Sequence, residues 1–323
     1  MEPQIKLYDF EPDTNNLYQE VVAGLQKPAK ELSDMLAYDE RGLELFDQLC
    51  QTEDYYLTRA ELSIMRKYLG EMVALIGENA LLIEYGSGSS LKTRLLLDHL
   101  PHLAGYVPID ISKEHLMHVA TKIAKQYAHI EVLPVCADYS QPFSLPSPTK
   151  PTMRRVAYYP GSTIGHLHPH EAVAFLAQVR EKCGPNNGLL IGVDLKKETE
   201  ILNRAYNDRA GIMVALGLNT LAHVNWRFEA NFKLNCFEYD VYYNERLGRI
   251  EYYFVSRQEQ TVDLNGESVF FRAGERIQNG YSYKYNLDEF AALAAKGGWN
   301  VKQVWTDDDQ LFSVQYLTSG GSP

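Results

Sequence analysis

Three acidic residues, Glu84, Asp110 and Asp138, each stand at or near the end of an apolar run, in IEYGSGSSLKTR, GYVPIDIS and VLPVCADY. After the first comes a two-glycine turn, Gly86-Ser87-Gly88, leading into the helix-like SSLKTRLLLDHL. A glycine turn between a buried strand and a helix lets backbone N–H groups approach a small polar ligand closely. A dinucleotide fingerprint needs a third glycine, but Ser90 and Leu91 follow here. A phosphate loop needs glycine directly before the lysine, and Lys92-Thr93 is preceded by Leu91. Both phosphate readings are weak. The ligand that remains is S-adenosylmethionine on a doubly wound fold. Glu84 would buttress the turn, while Gly86 and Gly88 admit the nucleoside and methionine moiety. Asp110 would accept hydrogen bonds from the two ribose hydroxyls, and Asp138 would face the adenine amino group. A single aspartate after a strand is more often a helix cap, but three acids in register with a glycine turn favour the cofactor. Lys92, on the first helical turn, is in reach of the methionine carboxylate, although spacing alone suits an exposed helix lysine equally.

These residues need a parallel sheet to hold them. Apolar runs at 80–86, 105–110, 130–138, 154–162 and 188–195 alternate with helical periodicity at 61–76, after Gly88, after Ser112 as an N-cap, and from Pro169. That alternation implies parallel strands covered by helices on both faces. After Leu195 it stops. Residues 196–224 read as helical, and from Asn231 onward, before the helix at 287, the pattern has period two with turns at NERLG and LNGE, hence antiparallel strands. LDEFAALAAKGGW (287–299) returns to helix, and NVKQVWTDDDQLFSVQYL closes as a hairpin. The expected fold class is therefore α/β, a Rossmann-like sheet with a C-terminal antiparallel hairpin plus an inserted α+β lobe. The sheet domain would comprise residues 61–195 and 287–323, and the lobe residues 1–60 and 196–286.

The 323 residues carry a formal charge of −11, with Lys and Arg scattered rather than clustered. That balance argues against a nucleic-acid partner, which requires a basic face. No apolar stretch is long enough to span a bilayer. The first residues, MEPQIKLYDFEPDTNN, lack the basic start and apolar core of a secretory signal. The expected setting is the cytoplasm, the expected state a monomer, and the expected partner a small molecule. Cys50, Cys136, Cys183 and Cys236 form no C-x-x-C pair and read as reduced core thiols. Tyrosines number 22 against 12 phenylalanines. Half-exposed strand faces account for much of that excess, but it also suits a pocket for a small, cationic polar molecule. His168 and His170 in HLHPH flank Pro169, which suggests a turn and helix start rather than a metal site.

The motifs YDERGLELFDQL, EDYYLTRAE, IEYGSGSSLKTR, PIDIS, CADY, GSTIGHL, DLKKETEILNRAYNDRAG, FRAGERI and YSYKY together closely resemble the histidine Nα-methyltransferases of ergothioneine biosynthesis. The resemblance runs from about residue 35 to the C-terminus. It implies a class I S-adenosylmethionine-dependent methyltransferase that methylates, up to three times, the α-amino group of a free amino acid. By the same resemblance Tyr38, Gly86, Lys92, Asp110, Asp138 and Tyr139 hold the cofactor, with Tyr139 replacing the family's usual Phe. Tyr55, Gly161, Tyr206 and Ser282 face the substrate, with Phe46 nearby.

Three positions depart from the family. His166 replaces an Asn that holds the amino-acid head, Gly280 replaces a Glu that grips the imidazole, and Tyr252 replaces a residue commonly Met. An imidazole N–H deprived of its partner loses about 1–3 kcal/mol. A pocket of Tyr252, Gly280, Tyr281 and Tyr283 would therefore suit an aromatic or larger side chain. Tyr206 would align the substrate carboxylate. His166 would hold the amine and, unlike an amide, could accept its proton; a neutral hydrogen-bonding role is as well supported. A non-catalytic binding protein on the same fold, or a methyltransferase for a modified amino acid or amine, is the alternative function. A dinucleotide oxidoreductase is disfavoured by the missing glycine.

Overall fold

The computed structural model describes residues 5–11, 16–87, 91–139 and 141–319. They belong to two compact units, one drawn from residues 1–12, 59–195 and 285–323, the other from 13–58 and 196–284.

The first unit is built on an eight-stranded sheet in the order Tyr8–Asp9, Val135–Cys136, Gly105–Asp110, Ala80–Tyr85, Arg154–Tyr159, Gly188–Asp194, Phe312–Ser319, Trp299–Thr306. The first six run parallel, and Phe312–Ser319 is antiparallel to both of its neighbours. Every residue of Ala80–Tyr85 and of Gly188–Asp194 is buried. This is why these strands are continuous apolar runs: both faces are covered by helices. From Ala80–Tyr85 the chain first adds a strand on one side and later, with Arg154–Tyr159, on the other. That makes the carboxyl end of Ala80–Tyr85 the topological switch point of the sheet. The fold is a Rossmann-like α/β sheet closed by an antiparallel hairpin.

Two sequence expectations need correction here. The run 130–138 was expected as one strand, but only Val135–Cys136 pairs, with an isolated bridge from Val132 to Tyr106. Pro134 has no N–H to give a ladder and interrupts it. Residues 1–60 were all expected in the lobe. Tyr8–Asp9 instead pairs in parallel with Val135–Cys136 and covers what would otherwise be a bare edge. Of the four cysteines, Cys136 and Cys183 are core residues, while Cys50 and Cys236 are only half-buried.

The second unit carries a four-stranded sheet, Lys30–Glu31, Arg276–Tyr283, Arg249–Ser256, Phe237–Asn244, and a separate hairpin, Gln260–Leu264 with Glu267–Phe271. A core of Phe232, Phe237 and Phe271, with ring centroids 5.6 to 6.1 Å apart, lies between the hairpin and this sheet. The helical stretch after Leu195 is broken into Thr199–Tyr206 and Ile212–Phe228. Asp208 causes the break: its carboxylate accepts the N–H groups of Ile212 at 3.0 Å and Met213 at 2.7 Å, capping the second helix. That helix anchors the chain before Glu40–Leu49. Asn219 Nδ2 donates to the Ala37 carbonyl at 3.1 Å and to Asp39 Oδ1 at 2.6 Å, and His223 Nδ1 lies 2.8 Å from the Leu36 carbonyl.

Candidate active site

Glu84 is buried near the end of Ala80–Tyr85 and accepts hydrogen bonds from Thr93 Oγ1 at 2.6 Å and from the Tyr106 hydroxyl. It thus joins its own strand to the next one and to the Leu91–Leu97 helix. Burial pushes its carboxyl from 4.5 up to about 7, against the pull of the two hydroxyl donors. Below the lower value both folded and unfolded chains hold the proton. As pH rises between the two values the unfolded chain releases it first, so stability falls, and above the higher value the cost is constant. Glu84→Gln removes this titration. Its stability relative to the wild type should therefore rise by about 3 kcal/mol across that window, read from urea unfolding at a series of pH values. A difference that stays flat with pH would show that Glu84 ionises in the folded protein as it does in the unfolded chain.

Gly86 follows with φ +77° and no described atom within 4 Å of where a Cβ would stand. Ser87 Oγ is buried with no hydrogen-bond partner among the described residues. Asp110, at the end of the next strand, accepts the Ser112 N–H at 2.9 Å. Burial raises the Asp110 carboxyl above the ordinary aspartate range, while the Ser112 N–H, the His115 imidazole and the Ile111 and Ser87 N–H groups pull it down. A left-handed glycine with an open face, an orphaned hydroxyl and a desolvated carboxylate together fit a nucleoside that brings its own hydroxyl donors. Gly88 lies outside the described residues. Asp138 and Tyr139 are half-buried after Val135–Cys136. The Tyr139 ring lies 5.8 Å from Tyr85, 5.8 Å from Phe175 and 6.4 Å from Tyr159, an aromatic wall.

Lys92 is ion-paired with Glu61, a residue missed from the sequence. Glu61 sits on the Leu57–Ile76 helix, 1% exposed, and also accepts the Gly161 N–H at 3.0 and 3.1 Å. One carboxylate therefore brings together Lys92, expected at the cofactor, and Gly161, expected at the substrate. A signal existed. Glu61 falls on the stripe of buried Leu57, Ile64 and Met65, where a carboxylate needs a partner. The GSTIGHL motif is a turn: Gly161 and Ser162 are both left-handed, with φ of +77° and +58°, and a 3₁₀ turn Thr163–His166 follows. Ser162 Oγ accepts the Asp194 N–H at 2.9 Å, pinning the turn to the next strand. His166, half-buried, ends the turn. His168 N–H donates to Glu171 Oε2 at 2.7 Å and Pro169 opens the following helix, so HLHPH is a helix start. Among the described residues no group of His, Cys, Asp or Glu is placed to hold a metal, and no helix is long and apolar enough to cross a membrane.

The second unit gathers Tyr38, Phe46, Tyr55, Tyr206 and Tyr252 into one chain of rings, with successive centroids 5.8, 6.3, 5.9 and 6.0 Å apart. Tyr239, missed from the sequence, extends it by stacking on Tyr252 at 6.3 Å; Gly217 on the neighbouring helix leaves room for its ring. Tyr38, expected with the cofactor residues, thus belongs to the unit that holds most of the residues expected at the substrate, whereas Gly161 and His166 belong to the sheet unit. Lys284, also missed, is 1% exposed. Its ammonium donates to the Tyr206 hydroxyl at 2.7 Å and to Ser282 Oγ at 2.9 Å and lies 4.7 Å from the centre of the Tyr206 ring. Gly280 pairs across the sheet with Tyr252, but the space beside it is not open to a larger substrate, as the sequence suggested. It is filled by Asp34.

A doubly wound sheet with a glycine turn at its switch point, an aspartate closing the next strand and an adjoining aromatic wall is the architecture of an S-adenosylmethionine-dependent methyltransferase. Residues 17–319 match the family model described as histidine-specific methyltransferase, SAM-dependent. The chain belongs to that family. It is 35% identical to the histidine N-alpha-methyltransferase of Mycobacterium tuberculosis over 92% of this chain and 93% of that one. To the enzyme of the same name from Mycolicibacterium smegmatis it is 35% identical over 90% and 91%. It is also 25% identical, over 95% of this chain and 86% of the other, to the N-methyltransferase imqF of Aspergillus flavus.

Proposed function

We propose that this methyltransferase acts on the α-amino group of a free amino acid, bound through the ring chain of its second unit. The observation that carries the reading is the Tyr206–Lys284–Ser282 cluster set against Tyr55 and Tyr252. Because the Lys284 ammonium donates to the Tyr206 oxygen, the Tyr206 proton is left to be donated to the substrate carboxylate. Gly86, Lys92, Asp110, Asp138 and Tyr139 hold the cofactor, which when bound supplies a methyl group on a sulfonium. Tyr38 takes part from the ring chain. Lys92 exchanges its Glu61 partner for the methionine carboxylate or shares the two.

The α-amine forms the new nitrogen–carbon bond with its lone pair, so it must first lose a proton. His166 accepts that proton. The ring faces of Tyr38, Phe46 and Tyr55 favour the cationic product through their negative quadrupoles, which supports repeated methylation. The test is incubation of the protein with S-adenosylmethionine and each common amino acid, followed by mass spectrometry for gains of one to three methyl groups. Cofactor binding without methylation of any amino acid or simple amine would favour a binding protein instead. In His166→Asn the rate should require a higher pH, where the free amine forms without help. An unchanged pH–rate profile removes His166 as the base.

A further inference from the structure

The Glu61 carboxylate lies in a space that the sheet leaves for it. Gly192 is part of the fully buried strand Gly188–Asp194. A Cβ there would stand 3.1 Å from Glu61 Cδ and from the Gly161 nitrogen, and closer still to Glu61 Oε1. A side chain at 192 would therefore displace the carboxylate. Two groups compensate its charge in that space, the Lys92 ammonium and the Gly161 N–H. Lys92 also reaches the same turn, since a Cβ on Gly161 would stand 3.6 Å from its Nζ. The turn is fixed on its other side, where Ser162 Oγ accepts the Asp194 N–H. Glu61, Lys92, Gly161 and Gly192 all belong to the sheet unit. A buried carboxylate is costly unless it is paired, and here its partner is the lysine assigned to the cofactor.

We propose that Glu61 is a positioning residue that competes with the cofactor's methionine carboxylate for Lys92 and passes that competition on to the Gly161 turn. This rests on the reading of Lys92 as the residue that meets the methionine carboxylate. When that carboxylate arrives, one ammonium faces two anions and its hold on Glu61 weakens. Glu61 is too deeply buried to turn to water, so it leans harder on its remaining donor, the Gly161 N–H. A filled cofactor site thus stiffens the turn that begins at Gly161 and ends at His166. An empty one leaves Lys92 neutralised by Glu61 and the turn looser. Cofactor and amino acid are in this way coupled through one side chain, and the coupling is reciprocal.

The test is calorimetry with S-adenosylhomocysteine and with methylthioadenosine, which keeps the nucleoside and lacks the amino-acid end, together with hydrogen exchange at the Gly161 amide. Melting temperature checks that each variant is folded. Glu61→Gln keeps the length of the side chain and an acceptor for Gly161 but removes the charge. It should bind S-adenosylhomocysteine about fivefold more tightly than the wild type and methylthioadenosine within about twofold. Lys92→Met should weaken S-adenosylhomocysteine and spare methylthioadenosine, and in that background Glu61→Gln should no longer strengthen either. In the wild type S-adenosylhomocysteine should slow Gly161 exchange more than methylthioadenosine does, and in Glu61→Gln the two should protect it equally. A purely structural Glu61 gives the opposite sign, weaker binding of both ligands. The proposal is overturned if Glu61→Gln binds S-adenosylhomocysteine no more tightly than the wild type, or gains as much on methylthioadenosine. It is equally overturned if the two ligands protect wild-type Gly161 alike, a measurement that needs no variant to fold. Lys92→Met with undiminished S-adenosylhomocysteine binding would remove the cofactor reading of Lys92 and this proposal with it. Weakened binding in Lys92→Met beside no gain in Glu61→Gln would remove the proposal alone.

Discussion

Asp110→Ala is expected to weaken binding of S-adenosylhomocysteine by about 100-fold, because it removes the charged acceptor proposed for the two ribose hydroxyls. The carboxylate is already desolvated by its surroundings, so the protein bears that cost before the nucleoside arrives. Asp110→Asn keeps one acceptor oxygen but loses the charge, and should weaken binding about tenfold. Both substitutions also disturb the bond to the Ser112 N–H, which starts the Lys113–Gln126 helix, so a modest fall in melting temperature should accompany them. The affinity of the wild type should itself decline toward acid pH as Asp110 takes up a proton, and should do so at a higher pH than an ordinary aspartate would dictate. Calorimetry with the demethylated cofactor measures all of this without turnover. A Kd for Asp110→Ala within about threefold of the wild type would show that the ribose is held elsewhere.

The sheet could be read from the sequence because its strands are buried on both faces. The runs ALLIEY, GYVPID and GLLIGVD keep their acidic residues to the carboxyl end and are otherwise too continuously apolar to confuse with a helix stripe. The reading failed where pairing depends on a distant partner. The run at 130–138 is apolar enough for a longer strand, but Pro134 and the arrival of Tyr8–Asp9 decide how much of it pairs. The helix break before Ile212 turns on Asp208, whose capping of Ile212 and Met213 is not distinguishable in sequence from any polar residue of a helical stretch.

The site divides along the same line. Acids placed by a local rule, at the end of a strand and beside a turn, were visible as Glu84 and Asp110. Groups placed by tertiary contact were not. Asp34 follows Ser33 in a polar stretch and reads as a helix-start acid, and nothing in sequence links it to Gly280. The missing side chain at 280 was legible as an absence. What fills that space was legible only in the fold. Lys284 lies in YSYKY, where alternation suggests a solvated lysine between tyrosines, yet it shares the inward face with Ser282.

Lys284→Met should lower kcat/KM for the amino-acid substrate by about 100-fold or more, the effect of losing a charged donor and the fixed orientation it imposes. Methionine keeps the length and apolar stem of lysine, so the change removes donors rather than volume. Lys284 touches the Tyr206 hydroxyl and Ser282 Oγ, and its charge fixes the direction in which the Tyr206 proton can point. It is a positioning residue, and a double-mutant cycle separates that role from general damage. If Lys284 acts through Tyr206, then Lys284→Met in a Tyr206→Phe background should cost far less than in the wild type, a coupling of about 1–3 kcal/mol. Ser282→Ala, which loses a single contact to the same ammonium, should cost less than either. S-adenosylhomocysteine affinity should stay within about twofold in all of these variants, since the change is confined to the substrate head group. Additive losses from Lys284→Met and Tyr206→Phe would show that the buried ammonium serves the fold of the second unit and not the orientation of the tyrosine.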